Sequence, residues 1–331
     1  MFVVNWSSTV ERIDALDAST VLLFVPDGMM RNVWSLVEEL KGLRDVDVIV
    51  SADYHHGSCQ LGWTDIYDRS ADILVSVGHT PYRCSNQQRI GHAPVEFIYT
   101  ADAGTLKRVL SPLIDTAQQK TSVAWSTEYA TMGQDVVQKI GSTVSFKVPG
   151  PDALVGKGQI IGCHYESLAA LDDEVSRHLI ISDAFHAYGA LLHLRKPVFW
   201  FNPLDASLRS IDRSRAELLR RRLADIEYAD QHSRCGILVE TRGGQAKHRS
   251  ALALRDQLTS SGKQALLLPI TELDFEKIKR LQGSFDFFVN TACPRIESRP
   301  SDGMILISQT EVDILLCKRE FENIYRGVAA L

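Results

Sequence analysis

The sequence predicts an α/β protein made of three similar small α/β units, with parallel sheets arranged pseudo-threefold. Three observations carry that expectation. Short β-branched or aromatic runs alternate with helix-length segments along all 331 residues. The runs are apolar throughout, as in strands of a parallel sheet covered on both faces. The alternation restarts twice, dividing the chain into units at 1–102, 103–205 and 206–331. The repeat lies in element order and not in matched residues, so two conventional doubly wound domains are the alternative.

In the first unit, Thr20-Val21-Leu22-Leu23-Phe24-Val25 is a strand ending at the turn Pro26-Asp27-Gly28. Residues 32–42 then put Val33, Leu36, Val37 and Leu40 on one helical face. Residues 46–50 and 73–77 are further buried strands, and 95–99 closes the unit. The second unit has strands at 122–125, 158–161, 178–181 and 196–201, with a helix near 134–140. Within it, Asp183-Ala184-Phe185-His186 opens a helix running through Leu191-Leu192. The third has strands at 236–239, 265–268, 287–289 and 304–307, with a helix over about 247–260. The basic segment 215–222 reads as a solvated linker helix, an acidic partner or a cofactor phosphate being its other reading.

Lys plus Arg number 36 against 41 Asp plus Glu, a net charge of −5 that argues against a broad footprint for nucleic acid or anionic membrane. No apolar run approaches the roughly 18 residues of a membrane span. Met1-Phe2-Val3-Val4-Asn5-Trp6 lacks the basic and apolar regions of a signal peptide, so a soluble cytoplasmic protein is expected. The six cysteines are too sparse for a disulfide framework. None forms a CxxC pair, which argues against zinc ribbons, thioredoxin-like chemistry and ferredoxin-type loops. A metal site would have to draw its ligands from distant parts of the chain.

Cys59, Cys163 and Cys293 each follow an expected strand, one per unit. Singly, each reads as a small buried hydrophobe; jointly, a pseudo-threefold arrangement would aim three thiolates at one centre. Cys235 begins a strand and Cys317 follows an apolar run, so core packing is expected for both. Cys84 lies in a polar loop and is ambiguous. Gly78-His79-Thr80-Pro81 is a strand-end loop, and His55 and His56 are either ligands or locally packed. Thr241-Arg242-Gly243-Gly244-Gln245 is either a structural turn or a loop whose free amides bind an anion.

These loops, in this order, resemble the diphthamide-synthesis 2-(3-amino-3-carboxypropyl)histidine synthase family, especially its archaeal homodimeric form. The resemblance runs from Val25-Pro26-Asp27-Gly28 through Gly57-Ser58-Cys59, Val77-Gly78-His79 and Gly158-Gln159-Ile160-Ile161-Gly162-Cys163. It continues through Asp183-Ala184-Phe185-His186, Lys196-Pro197-Val198 and Gly243-Gly244-Gln245 to Thr291-Ala292-Cys293-Pro294-Arg295-Ile296. Two positions depart from the family pattern. Thr80-Pro81-Tyr82 intervenes before Cys84, and Ser182-Asp183-Ala184 replaces a glycine-aspartate-glycine loop.

The resemblance implies a 4Fe-4S cluster at the centre of the three units, held by Cys59, Cys163 and Cys293, with S-adenosylmethionine on the fourth iron. It implies cleavage of the sulfonium bond to the aminocarboxypropyl carbon by this non-canonical radical enzyme. The 3-amino-3-carboxypropyl group then goes to a histidine of translation elongation factor 2, with methylthioadenosine as by-product. Gly78, His79, Asp183, Phe185, His186, Gly243, Gly244, Gln245 and Arg295 are the implied cofactor pocket, with Arg295 a candidate for the methionyl carboxylate and Phe185 for adenine. A homodimer with an external electron donor is implied, and no membrane or nucleic-acid partner. The rival readings are a quinolinate-synthase-like cluster enzyme and a non-catalytic iron–sulfur subunit that donates electrons.

Overall fold

In the computed structural model, the strands form three main sheets that share one order. The structure describes residues 2–61, 70–81, 87–98, 103–114, 119–140, 146–147, 156–242, 245–271, 273–293 and 303–326. After a short strand β1 (Phe2–Val4), the first sheet holds β2 (Thr20–Phe24), β3 (Asp47–Val50), β4 (Ile73–Val77) and β5 (Ile90–Ala93). All four are parallel, in the order β3-β2-β4-β5. The next strand, β6 (Val95–Phe97), pairs antiparallel with β1. The second sheet contains β7 (Thr121–Trp125), β8 (Phe146–Lys147), β9 (Arg177–Ile181) and β10 (Val198–Asn202), in the order β8-β7-β9-β10. A hairpin strand, β11 (Ser207–Ser210), runs antiparallel to β10 at its edge. The third sheet is again parallel: β12 (Arg234–Glu240), β13 (Gln264–Ile270), β14 (Phe287–Asn290) and β15 (Leu306–Ser308), in the order β13-β12-β14-β15.

In every sheet the first strand lies between the second and the third, with the fourth beyond. One connectivity therefore occurs three times. Strand order reverses between first and third strands, and the loops leaving their carboxyl ends part there to leave a crevice. The apolar runs explain the layering. Val21, Leu23, Ile73 and Val75 face one core, Val123, Leu179 and Ile181 a second, and Ile237, Phe287 and Val289 a third.

Several elements differ from the sequence reading. The fourth parallel strand of the first sheet is Ile90-Gly91-His92-Ala93, whose Gly and His weaken the strand signal, while 95–97 serves the small antiparallel pair. Residues 47–50 form an exposed edge and not a buried strand: Ile49 is 40% exposed. Residues 158–161 are no strand: Gly158 turns at φ +80°, and after it only Gln159 and Ile161 form isolated bridges. The second sheet continues to Ser210, beyond residue 205, because β10 turns back into its hairpin.

The segment 215–222 opens the helix Arg215–Gln231, and two of its arginines are not solvated. Arg215 donates to the carbonyls of Arg195 and Lys196 and pairs with Asp212 at 2.9 Å. Arg222 is buried against Glu311 and Asp225. Cys317 is exposed, not core: the helix Val312–Leu315 ends before it, and Cys317 takes φ +54° in the closing turn. Cys235 is fully buried, and burial pushes its thiol up to about 12.

Ser122, His178 and Asp172 form a hydrogen-bonded row, at 2.6 and 2.9 Å, that superficially resembles a nucleophile triad. All three side chains are fully buried, and Asp172 also accepts from the backbone of Arg195 and Lys196. The row fastens β7 and β9 to the loop before β10.

Burial lowers the His92 imidazole on β5 to about 4, and it holds His55 well below its ordinary range. Both histidines therefore bind protons less readily folded than unfolded, so stability falls as pH drops below the unfolded value near 6.5. For His92 alone the loss is about 1.2 kcal/mol at about pH 5.5 relative to neutral pH. Urea unfolding at the two pH values measures it. The His92→Gln protein should show a shallower dependence.

Candidate active site

A cavity of about 340 Å³ lies where the carboxyl-end loops of the three sheets meet. The loop after β2 supplies Pro26 to Met29, the loop after β4 Gly78 to Thr80, and the loop after β7 Ser126 to Glu128. The loop after β9 supplies Asp183, Phe185 and His186. Cys59, Cys163 and Cys293 all line this one cavity, and all three are partly buried. Their chain positions are not equivalent. Cys59 and Cys163 lie between the second and third strands of their sheets, Cys293 between the third and fourth.

Each cysteine loop is held by its own local bonds. Cys59 sits in the turn Ser58–Gln60. There His56 N donates to Gln60 Oε1 at 2.6 Å, and Ser58 Oγ to the Thr80 carbonyl at 2.6 Å. Cys163 follows a segment tied to β7 through Ile160 N to the Trp125 carbonyl, 2.8 Å. Cys293 is fixed by the buried Asn290, whose Nδ2 donates to the Cys293 carbonyl at 2.8 Å while its Oδ1 accepts from Ala292 N at 2.9 Å.

The surrounding pocket is built from coupled polar groups. Gly78, at φ +79°, turns the chain so that His79 enters the cavity wall. His79 Nδ1 donates to the Val77 carbonyl at 3.0 Å, and its ring meets His55 edge-on at 4.9 Å. His55 bonds Ser76 Oγ at 2.7 Å. Burial, followed by the charges of His79 and Arg242, keeps His55 neutral. Asp183 caps the helix Ala184–His193 by accepting from His186 N, and the same Oδ1 accepts from His186 Nδ1 at 2.7 Å. Tyr165 donates to the His186 carbonyl at 3.1 Å. Its phenol is held well above the ordinary range by burial, then by Cys163, Asp183 and Cys293, so it stays a donor.

Of the expected pocket residues, Gly78, His79, Asp183, Phe185 and His186 line the cavity. Gln245 reaches it through Cys59, its Nε2 donating to Cys59 Sγ at 3.0 Å. Gly243, Gly244, Arg295 and Cys84 lie outside the described residues. Sequence reasoning missed Asn290, Tyr165, Ser76 and Gln159 as supporting groups. Gln159 Nε2 donates to Thr80 Oγ1 at 2.9 Å and also bonds Thr127, joining the first two units. Thr80, a departure from the family pattern, is thus part of an inter-unit contact. Only the side chain's reach across 79 residues reveals it.

Phe185 packs directly on Gly162: a Cβ at that position would lie 1.9 Å from the ring. The Gly162→Ala protein should therefore push Phe185 away and shift the neighbouring Cys163. A destabilisation of about 1–3 kcal/mol is expected from the overpacking. Thermal unfolding and iron content after anaerobic reconstitution check it, and wild-type values for both would refute the steric argument.

The donor set fits an iron–sulfur cluster. Thiolates are soft ligands suited to iron–sulfur chemistry. Among the described residues, no three Cys, His, Asp or Glu side chains converge closely enough to hold one metal ion. Three sulfurs on the wall of one cavity would suit a multi-iron group, each thiolate binding a different iron. The amide donor on Cys59 Sγ suits a sulfur carrying negative charge.

A family model described as "Putative diphthamide synthesis protein" matches residues 25–326. The 2-(3-amino-3-carboxypropyl)histidine synthase of Pyrococcus horikoshii is 24% identical, over 97% of this chain and 93% of that protein. Subunit 1 of the Homo sapiens enzyme of that name is 23% identical over 87% of this chain, which spans 65% of its length. The crystal structure of Dph2 from Pyrococcus horikoshii with a 4Fe-4S cluster superposes with a TM-score of 0.79 at 22% identity, covering 97% of this chain and 93% of that one.

Proposed function

The chain belongs to the diphthamide synthesis protein family, and on that premise we propose that it catalyses the first step of diphthamide biosynthesis. The reaction is transfer of the 3-amino-3-carboxypropyl group from S-adenosylmethionine to a histidine of translation elongation factor 2. One observation carries this reading: three cysteines from three separate units line a single cavity at the strand ends. Cys59, Cys163 and Cys293 would hold a 4Fe-4S cluster, the division into units near 102 and 205 giving one ligand loop to each.

When bound, the cluster supplies an electron for breaking the sulfonium bond and leaves one iron open to S-adenosylmethionine. The chain's own residues position and shield. Phe185, over Gly162 beside Cys163, gives an apolar surface for the adenosyl part of the substrate. Asp183 holds the His186 ring by Nδ1 at the cavity wall. His55, kept neutral by burial, adds no charge behind the pocket. Arg295 belongs to the same reading as the group for the methionyl carboxylate, a bidentate pairing that guanidinium geometry suits.

A homodimer, an external electron donor and a cytoplasmic location complete the proposal. No helix among the described residues is long and apolar enough to cross a membrane. The test is anaerobic reconstitution, then reaction with S-adenosylmethionine, dithionite and elongation factor 2. Methylthioadenosine and a modified histidine are expected. 5′-Deoxyadenosine as the main product would overturn the proposed bond cleavage, and methylthioadenosine without protein modification would overturn the substrate.

A further inference from the structure

Gln245 and Cys59 are separated by 186 residues, yet the amide nitrogen lies 3.0 Å from the sulfur. The contact is built, not incidental. Gln245 is buried, in a turn closed by its own backbone N–H to the Arg242 carbonyl at 3.0 Å. That turn lies between β12 and the helix His248–Ser260, in the third unit. Arg242 anchors it from both sides. Its Nε pairs with the buried Glu240 at 3.1 Å, while its Nη1 donates to the Tyr54 carbonyl at 3.0 Å. One turn of the third unit thereby grips the cysteine loop of the first at two points, the Tyr54 carbonyl and the Cys59 sulfur.

From this geometry we infer that Gln245 is a positioning residue that orients Cys59 and raises the reduction potential of the cluster it holds. The inference rests on the cluster assignment given above. An N–H donor on a ligand sulfur withdraws electron density from it and eases addition of an electron to the irons. A thiolate accepts such a bond more strongly than a thiol, so the contact strengthens when the sulfur is ionised on iron. The side chain is well suited to the task. Glutamine carries a donor without a charge, and its length spans the gap between two units. Reduction is the step that must precede bond cleavage, so a group easing it acts on the reaction without touching the substrate.

The test uses the full chain, reconstituted anaerobically, as wild type, Gln245→Met and Gln245→Leu. Methionine keeps the reach and removes the donor; leucine removes both. Thermal unfolding establishes that the variants are folded. Iron per chain and the cluster midpoint, from a dye-mediated titration followed by electron paramagnetic resonance without S-adenosylmethionine, are the readouts. The expected result is near-normal iron in Gln245→Met with a midpoint shifted to more negative potential. A smaller fraction of its cluster should be reduced at a fixed dithionite concentration. Iron-loaded variants with the wild-type midpoint would overturn the role of Gln245 alone. Folded variants that cannot be loaded would make Gln245 an assembly residue and overturn the potential-setting role. Wild-type protein that takes up no iron would overturn the cluster assignment itself, and this inference with it.

Discussion

Replacing Cys163 by Ala is expected to reduce iron incorporation to background and to abolish methylthioadenosine formation. The same holds for Cys59→Ala and Cys293→Ala. Each sulfur lies on the wall of the shared cavity, on a loop from a different unit. With one thiolate missing, a cluster has an additional labile iron, and among the described residues no further cysteine lines the cavity to replace it. The controls separate this from general damage. Cys235 is fully buried in the core with its thiol pushed up to about 12, so Cys235→Ala should cost stability but leave iron content intact. Cys317 is exposed in a turn, and Cys317→Ala should change neither. Cys84→Ala is also expected to keep its iron. Iron analysis with the visible absorption of the reconstituted proteins decides the matter, and normal iron in Cys163→Ala would contradict the assignment.

Glu311→Ala should be the most destabilising single change outside the cavity, by about 3–5 kcal/mol. Glu311 is fully buried and accepts from Arg222 Nε at 2.8 Å, from Ser308 N at 2.6 Å and from the Tyr325 hydroxyl at 2.5 Å. Arg222 also reaches Asp225 at 3.1 Å and the Leu306 carbonyl at 3.0 Å. Removing Glu311 leaves the guanidinium buried with a weakened partner set: burial already pushes the Asp225 carboxyl above its ordinary range. The Glu311→Gln protein keeps most of the hydrogen-bonding shape and should lose less. Replacing Arg222 and Glu311 together by Met and Leu should recover much of the loss, because no unpaired charge is then left buried. Urea unfolding of the three variants measures all of this. A loss below about 1 kcal/mol for Glu311→Ala would show that the pair is effectively solvated.

How much of this was legible in the chain depended on how local each signal is. The strands 20–24, 73–77 and 287–290 declare themselves because their apolar runs are continuous and end at turn residues. The helix Ala184–His193 is legible for a similar reason, with Asp183 at its start. The strand 90–93 is not, since Ile90-Gly91-His92-Ala93 has little intrinsic strand character and becomes a strand by pairing with β4. Arg215 and Arg222 look solvated because residues 215–222 carry four arginines and a glutamate, whereas their buried surroundings come from Asp212, Glu311 and the Arg195 loop.

The amino-acid sequence by itself determined the triplicated α/β plan, the family and the three cysteine loops, because each rests on short stretches whose order along the chain carries the signal. Tertiary structure alone decided what those loops meet. It set the common strand order of the three sheets, brought Cys59, Cys163 and Cys293 to one cavity and laid Phe185 on Gly162. It also carried Gln245 across 186 residues to the sulfur of Cys59. The physical reason is range: periodicity and turn chemistry act over a few neighbouring residues, while a hydrogen bond or a packing contact between units depends on how whole sheets are placed.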